Sequence, residues 1–172
     1  MNGERNWYVI RTKPRWEKKV ALQISKKRIE VFLPLIEKIR IWSDRKKKIQ
    51  EPMFSGYVFV FVDESERYLA ISNTAGAMNY VYYNKRPAEV RQIEIEYIKL
   101  SLKEPDRITI EDKQIKKGDY ITVKRGAFKG MAGYVNEFKG NYKLTVNLEE
   151  LSTAFSVTLF LDEVDVIKNS EL

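Results

Sequence analysis

The sequence predicts an α+β fold, and three features support this. Residues 57–62, Tyr-Val-Phe-Val-Phe-Val, are an uncharged run of aromatic and β-branched residues, which is typical of a strand covered on both faces. Apolar residues recur at helical spacing in residues 15–28, so helices are expected beside the strands in a mostly antiparallel sheet. From residue 115 onwards, short alternating segments separated by glycine turns predict a small β-barrel.

The first elements follow in order from local composition. Residues 7–12 are dense in β-formers and predict an opening strand. Residues 15–28 place Trp16, Val20, Ala21 and Ile24 within one band, which predicts an amphipathic helix. Residues 29–50 predict a long β-hairpin whose basic tip is Arg45-Lys46-Lys47-Lys48. Pro52 and Gly56 then lead into the strand at 57–62.

Two further helices and a strand complete the first half of the chain. Asp63 and Glu66 have the spacing of a capping box, so a helix is expected from there to about Ser72. Residues 78–83 predict a strand. Residues 90–102 predict a last helix, although apolar residues in this segment also alternate as they do in a strand.

The sequence predicts a first domain at residues 1–103, a linker at residues 104–114 and a second domain at residues 115–172. The linker is mostly polar and begins at a proline-containing break. The second domain is predicted to contain five short strands, at residues 120–123, 133–135, 142–148, 155–159 and 164–167.

The composition excludes several classes of function. The 172 residues include neither cysteine nor histidine, which removes disulfides, thiol chemistry, histidine-dependent catalysis and the commonest zinc ligands. Adjacent acids at Glu149–Glu150 and Asp162–Glu163 have no partner histidine or phosphate-binding loop, so we predict no enzyme, no cofactor and no metal site. No apolar segment reaches the ~18–20 residues that cross a bilayer, and the polar N-terminus has no signal-peptide pattern. We expect a cytoplasmic protein without membrane contact.

Charge is distributed unevenly along the chain. Residues 1–103 contain 21 lysines and arginines against 12 acids, a net charge of +9, whereas residues 104–172 contain 10 against 12, a net charge of −2. The first domain therefore resembles a module that works beside nucleic acid, and the second does not. From the residues alone, two interpretations stay open for the basic helix at 15–28, a solvated face or a stripe along a nucleic-acid backbone. Phe54 and Tyr57 are likewise either core residues or a docking surface.

The chain resembles the NusG family of transcription factors over essentially its whole length. The residues that carry the resemblance are Trp7-Tyr8-Val9, Phe54-Ser55-Gly56-Tyr57-Val58 and Pro87 in the first domain, and Gly118-Asp119, Gly126-Ala127-Phe128-Lys129-Gly130 and Gly133 in the second. The resemblance implies an NGN-type first domain and an SH3-like KOW barrel. The Glu51-Pro52-Met53-Phe54 segment and the short hairpin are similar to those of the specialised RfaH- and UpxY-like paralogues.

This resemblance implies a monomeric, non-enzymatic factor that binds bacterial RNA polymerase and suppresses pausing and termination. An apolar face is expected to bind the clamp helices of the largest subunit, and the start of the second helix is expected to reach the second-largest subunit across the DNA channel. The residues at matching positions for polymerase binding are Phe54, Gly56, Tyr57, Phe59, Tyr80, Tyr83, Arg11, Ser65 and Arg67.

Nucleic acid and a further protein partner are implied as well. Non-template DNA or nascent RNA is expected on the opposite face, at Lys13, Lys19, Gln23, Lys26 and Lys27. In the family, the KOW domain binds Rho or a small-subunit ribosomal protein, and Phe128 and Leu151 are the apolar contacts retained here. The segment 149–153 lacks the family's arginine, so Rho binding is not expected. The alternative is a ribosome-associated or RNA-binding KOW protein, which the net charge of residues 104–172 disfavours.

Overall fold

The computed structural model describes residues 3–160 and 163. The chain divides into two compact units, Met1–Ile95 and Glu96–Leu172. Each unit combines antiparallel strands with short helical segments, as the α+β prediction requires. The strand predicted at residues 164–167 lies outside the described residues. In the part of the chain that the structure describes, no helix is long and apolar enough to cross a membrane.

The first unit is built from nine strands and the helices that follow them. Its strands are β1 (Asn6–Thr12), β2 (Glu30–Phe32), β3 (Leu35–Ile41), β4 (Lys46–Pro52), β5 (Tyr57–Val62), β6 (Ala77–Tyr80), β7 (Tyr82–Tyr83), β8 (Arg86–Pro87) and β9 (Glu89–Val90). The helices are α1 (Glu17–Lys26), α2 (Glu64–Ile71) and α3 (Gln92–Ser101), the last of which contains the division between the units. The strand at 57–62 and the helix at 90–102 are therefore confirmed.

The central sheet has the strand order β2-β5-β1-β6, and β9 also pairs with β1. All of these pairings are antiparallel. One face of the sheet packs on α1 and α2, where Ile10 and Val58 meet Val20, Ile24 and Ala70 in one apolar cluster. Because side chains alternate along a strand, residues Trp7, Val9, Arg11, Tyr57, Phe59 and Phe61 lie on the other face.

The second helix begins as its sequence predicts. The Asp63 carboxylate accepts a hydrogen bond from the Glu66 backbone N–H, and the Glu66 side chain accepts one from the Asp63 N–H in return. This capping box satisfies two backbone donors that a helix start would otherwise leave unpaired. The helix ends at Ile71, close to the expected Ser72.

The predicted hairpin forms between β3 and β4, but its charges are placed differently. The two strands pair from Leu35↔Pro52 to Ile41↔Lys46, and Ser43 and Asp44 form the turn. Three of the four cations assigned to the tip, Lys46–Lys48, therefore lie within β4 itself. The strand expected over 78–83 is divided at Val81 into β6 and β7, and the Val81 backbone N–H donates to the Val9 carbonyl at 2.8 Å.

The second unit contains a five-stranded antiparallel sheet in the order β10-β14-β13-β12-β11. Its strands are β10 (Ile108–Glu111), β11 (Asp119–Thr122), β12 (Ala132–Phe138), β13 (Asn141–Leu148) and β14 (Thr153–Leu159). The segment 104–114 is not wholly a linker, because β10 lies within it and pairs with β14 from Ile108↔Val157 to Glu111↔Ala154. The KOW assignment, the closed barrel and the domain limits stay predictions.

Candidate functional site

An accessible row of side chains crosses one end of the central sheet. Arg11 on β1 lies directly opposite Tyr57 on β5 and Asn79 on β6. Directly opposite residues of antiparallel strands project on the same face, so these three side chains form one row, called here the Tyr57 row. Arg11 and Asn79 are exposed and Tyr57 is half-buried. The row thus offers an aromatic ring, a cation and an amide to a partner.

The loop before Tyr57 is held by a buried carboxylate. Glu17, at the start of α1, accepts a hydrogen bond of 2.7 Å from the Gly56 N–H, and the Gly56 carbonyl accepts one of 2.8 Å from the Thr12 N–H. Gly56 has a φ of +83°, a conformation that side-chain-bearing residues rarely adopt, and a Cβ there would meet nothing within 4 Å. Glycine is therefore required for its backbone conformation, which turns the chain into β5.

The face of the sheet that carries the row also carries a packed aromatic cluster, formed by Trp7, Phe32, Phe54, Phe59 and Phe61. The Phe59 ring centroid lies 6.1 Å from that of Phe54 and 6.0 Å from that of Phe32, and Trp7 lies 5.2 Å from Phe61. Phe54 is only 4% exposed and Phe59 0%. The prediction of direct partner contacts through these two rings is therefore corrected, because both are covered. Phe59 lies on the same face of the sheet as Tyr57, two residues along β5.

Tyr80 is a second correction. Its register partner is Ile10, which places it on the helix-packed face of the sheet and not beside Tyr57. Its hydroxyl donates a 2.8 Å hydrogen bond to the Arg67 carbonyl on α2. Burial, the largest cause, raises the pKa of this phenol far above its ordinary value, so it stays protonated. Tyr83, by contrast, is 43% exposed on β7 and remains accessible.

A depression of about 230 Å³ lies between α2 and the strands β6 to β8. Its lining residues are Glu64, Arg67, Tyr68, Ile71, Tyr80, Tyr82 and Pro87. The Arg67 guanidinium pairs with Glu64 at 2.6 Å and lies 6.0 Å from the Tyr80 ring centroid. Ser65, on the same helix, is exposed and donates to Asp63 at 2.6 Å. The predicted pair Ser65 and Arg67 is thus at an accessible site.

Sequence reasoning missed two residues of this depression. Tyr68 is 77% exposed and Tyr82 is 61% exposed, although both side chains are large and partly apolar. The sequence does indicate Tyr82, because it follows the predicted site residue Tyr80 by two positions, which is the side-chain period of a strand. Tyr68 gave no signal of its own, because an aromatic residue in a short helix usually packs inward.

The predicted nucleic-acid residues divide into two groups. Lys13 and Lys26 are exposed, and the Lys19 ammonium lies 4.8 Å from the Trp16 ring centroid. Lys27 instead donates to the Leu69 carbonyl at 2.9 Å, to the Ser72 carbonyl and to the Thr74 hydroxyl at 2.7 Å. Burial lowers the pKa of Lys27. Lys27 is therefore engaged at the C-terminal end of α2, where a cation complements the helix dipole.

Gln23 also has a structural partner. Its side-chain amide donates to the Ala75 carbonyl and accepts from the Ala75 N–H, each at 2.9 Å. This two-point contact ties α1 to the turn that precedes β6. Of the five residues predicted to contact nucleic acid, Lys13, Lys19 and Lys26 thus remain accessible and, within the described part of the chain, without a structural partner of the kind that Lys27 and Gln23 have.

In the second unit, the two predicted partner contacts are buried. Phe128 is fully buried and Leu151 nearly so. Phe128 packs on the Arg107 guanidinium, which lies 4.5 Å from its ring centroid and 4.3 Å from that of Phe160. Both residues therefore belong to the core of the described second unit, and the prediction that they contact a partner directly is corrected.

Across residues 3–160 and 163, no group of three or more histidine, cysteine, aspartate or glutamate residues is placed to hold a metal ion. What the accessible surfaces present is aromatic rings and cations, which are suited to binding a protein or a nucleic acid.

Comparison with known proteins gives the family. The family model described as "Transcription termination factor nusG" matches residues 5–99. The chain is 26% identical over 180 residues to the transcription termination/antitermination protein NusG of Staphylococcus carnosus (strain TM300), covering 95% of this chain and 96% of that protein. It is 28% identical over 172 residues to the protein of the same name from Streptococcus pyogenes serotype M1, covering 91% and 94%.

A solved structure supports the fold independently. It is described as "Domain interaction in Thermotoga maritima NusG" and aligns with a TM-score of 0.51 at 24% identity, covering 92% of this chain and 95% of that one. The likeness in fold agrees with the family match, which spans more than half of the chain. This chain belongs to the NusG family of transcription termination/antitermination proteins.

Proposed function

We propose that this protein binds transcribing bacterial RNA polymerase and suppresses pausing and termination, acting in the cytoplasm as a monomer and by binding alone. The observation that carries the proposal is the Tyr57 row, an accessible aromatic and cationic strip on the sheet face that also carries the packed aromatic cluster. A tyrosine side chain has only two rotatable χ angles and loses little conformational entropy on binding, so it suits a strong contact with a partner helix. The proposed partner is the pair of clamp helices of the largest subunit, with Tyr83 as a further contact.

The depression beside α2 is proposed to contact the second-largest subunit across the DNA channel. Arg67 and the exposed rings of Tyr68 and Tyr82 offer charge, hydrogen bonds and apolar area in the depression, and Ser65 is exposed on the same helix. Contacts on both sides of the channel would hold the clamp closed. A closed clamp disfavours the rearrangements that accompany pausing.

Tyr57→Ala is expected to weaken polymerase binding by at least ~2 kcal/mol, about 30-fold in affinity, because it removes the central ring of the row. Thermal stability should change little, since Tyr57 is only half-buried. Affinity for purified polymerase, measured by biolayer interferometry, tests this. Tyr120→Ala, an exposed tyrosine of the second unit, is the matched control. Equal affinity of Tyr57→Ala and wild type would remove the clamp-helix assignment.

Lys13, Lys19 and Lys26 are proposed to contact non-template DNA or nascent RNA in the elongation complex. Lys13→Glu/Lys26→Glu should reduce crosslinking of the protein to the exposed strand about tenfold, because two phosphate contacts become repulsive. The control is Lys103→Glu/Lys113→Glu, which makes the same charge change at exposed positions elsewhere. If both variants lose crosslinking equally, the effect is one of net charge and not of this surface.

The second unit is proposed to be a KOW domain that recruits a further partner, such as a small-subunit ribosomal protein. With Phe128 and Leu151 buried, that contact must use other residues of the unit or the edges of its sheet. The missing arginine in segment 149–153 disfavours binding of Rho. Absence of Rho recruitment fits an antiterminator, which is why an RfaH- or UpxY-like role is proposed here.

A further inference from the structure

The hairpin β3–β4 is a separate surface to which the proposed function assigns no role. Its two strands pair only with each other, as a two-stranded sheet within the described part of the chain. Each strand has seven residues, so the ribbon is about 23 Å long at the usual rise per residue. Residues 35–52 are called the ribbon below.

The ribbon carries an excess of positive charge at its tip. It contains six lysines and arginines and three acids, a net charge of +3. Three ion pairs form within it, as Lys38 and Arg40 bind Glu51 and Lys48 binds Glu37. The cations beyond these pairs are Arg45, Lys46 and Lys47, all exposed and all at the turn end. With Asp44 in the turn, residues 44–47 carry a net charge of +2, which is two thirds of the net charge of the ribbon.

Apolar side chains are exposed beside these cations. Ile41 is 75% exposed and Trp42 is 57% exposed, and Ile39 is exposed on the same strand. The register places Ile39 opposite Lys48 and Ile41 opposite Lys46, so isoleucines and lysines share one face. Trp42 follows at the turn, where its backbone N–H donates to the Arg45 carbonyl at 2.8 Å. A tryptophan exposed among cations suits a partner that is both anionic and apolar.

We propose that the ribbon binds double-stranded DNA, entering the major groove with Arg45, Lys46 and Lys47 on phosphates and Trp42 against the bases. The major groove of B-form DNA is about 12 Å wide and admits a two-stranded β-ribbon. The deep and narrow major groove of A-form RNA does not admit one. Cations positioned on phosphates supply affinity, while an apolar side chain packs on the thymine methyl groups that line the major groove.

The test uses the full-length protein without polymerase, so its result does not depend on the proposed function. A fluorescein-labelled duplex of about 20 base pairs, two turns of B-form DNA, is titrated in low salt and followed by anisotropy. Lys46→Glu/Lys47→Glu should weaken binding more than tenfold and reduce the slope of log K against log salt by about 2. Trp42→Ala should weaken binding about tenfold and remove the quenching of tryptophan fluorescence that DNA causes.

Three comparisons decide the outcome. Lys124→Glu/Lys129→Glu makes the same change in net charge at exposed positions of the second unit. This variant should retain most of the affinity for duplex DNA. Single-stranded DNA and duplex RNA of the same length should bind at least about fivefold more weakly than duplex DNA. Losses equal to those of the control pair, or equal affinity for duplex RNA, would overturn the proposal. All of these substitutions are at exposed ribbon or loop positions, and circular dichroism verifies that each variant is folded.

Discussion

Arg107→Ala is expected to destabilise the unit Glu96–Leu172 by roughly 3–5 kcal/mol, because it leaves a buried carboxylate without its charged partner. The Arg107 guanidinium pairs with Glu163, and its Nε–H donates to the Thr158 carbonyl at 2.8 Å. The same guanidinium is packed between the rings of Phe128 and Phe160. One substitution thus removes an ion pair, a hydrogen bond to β14 and two stacking contacts.

The measurement should report on this unit specifically. Hydrogen exchange followed by mass spectrometry is expected to show faster exchange in peptides from β13 and β14. All three tryptophans, Trp7, Trp16 and Trp42, lie in the other unit, so their fluorescence reports on that unit alone. Arg107→Lys is the control, since it keeps the charge but loses the flat surface that stacks between two rings. Unchanged exchange in Arg107→Ala would contradict the assigned role.

The same pair makes the second unit sensitive to acid. Burial acts to raise the pKa of the Glu163 carboxyl, but hydrogen bonds from Arg107 and from the Phe160 and Ala127 N–H groups outweigh it and hold the pKa below its ordinary value. A carboxyl whose pKa is lowered by folding contributes stability that is present above its unfolded pKa of about 4.3 and is lost as the pH falls through the folded value. Glu163→Gln should therefore flatten the dependence of stability on pH in this acidic range.

Local sequence signals predicted most of the first unit because they arise from neighbouring residues. The capping box of Asp63 and Glu66 needs only a spacing of three, and the strand at 57–62 needs only its composition. The strand β10 was missed, although Ile108 and Ile110 alternate with polar residues. Its existence depends on pairing with β14, more than 40 residues later, which local composition does not reveal.

The candidate site was predicted less well, for a related reason. A strand that is apolar at every position does not indicate which side chains share the accessible face, so Tyr57, Phe59 and Tyr80 were grouped together. Register places Tyr80, opposite Ile10, on the other face of the sheet from Tyr57 and Phe59. Burial then distinguishes the fully buried Phe59 from the half-buried Tyr57. Lys27 and Gln23 looked like free surface residues because their partners, backbone groups near residues 69–75, are 42 to 52 positions away.

Phe59→Ala is expected to destabilise the first unit by about 3–5 kcal/mol, which is the usual effect of removing a buried aromatic ring and leaving a cavity. The ring is fully buried, packs against Phe54 and Phe32, and lies on a strand that is paired on both sides. Urea unfolding followed by tryptophan fluorescence measures the loss, and Phe59→Leu should lose much less, since it keeps most of the apolar volume.

Comparing Phe59→Leu with Tyr57→Ala then distinguishes a residue that packs in the core from one that contacts polymerase. If Phe59 acts only in the packed core, Phe59→Leu remains folded and keeps polymerase affinity close to wild type, whereas Tyr57→Ala remains folded and loses affinity. If Phe59 instead contacts polymerase directly, Phe59→Leu loses affinity without a matching loss of stability. The burial of Phe59 favours the first outcome, because a ring with no exposed surface cannot touch a partner unless the sheet opens. Opening a central strand would break its pairing with β1 and β2, at a free-energy cost comparable to unfolding the unit.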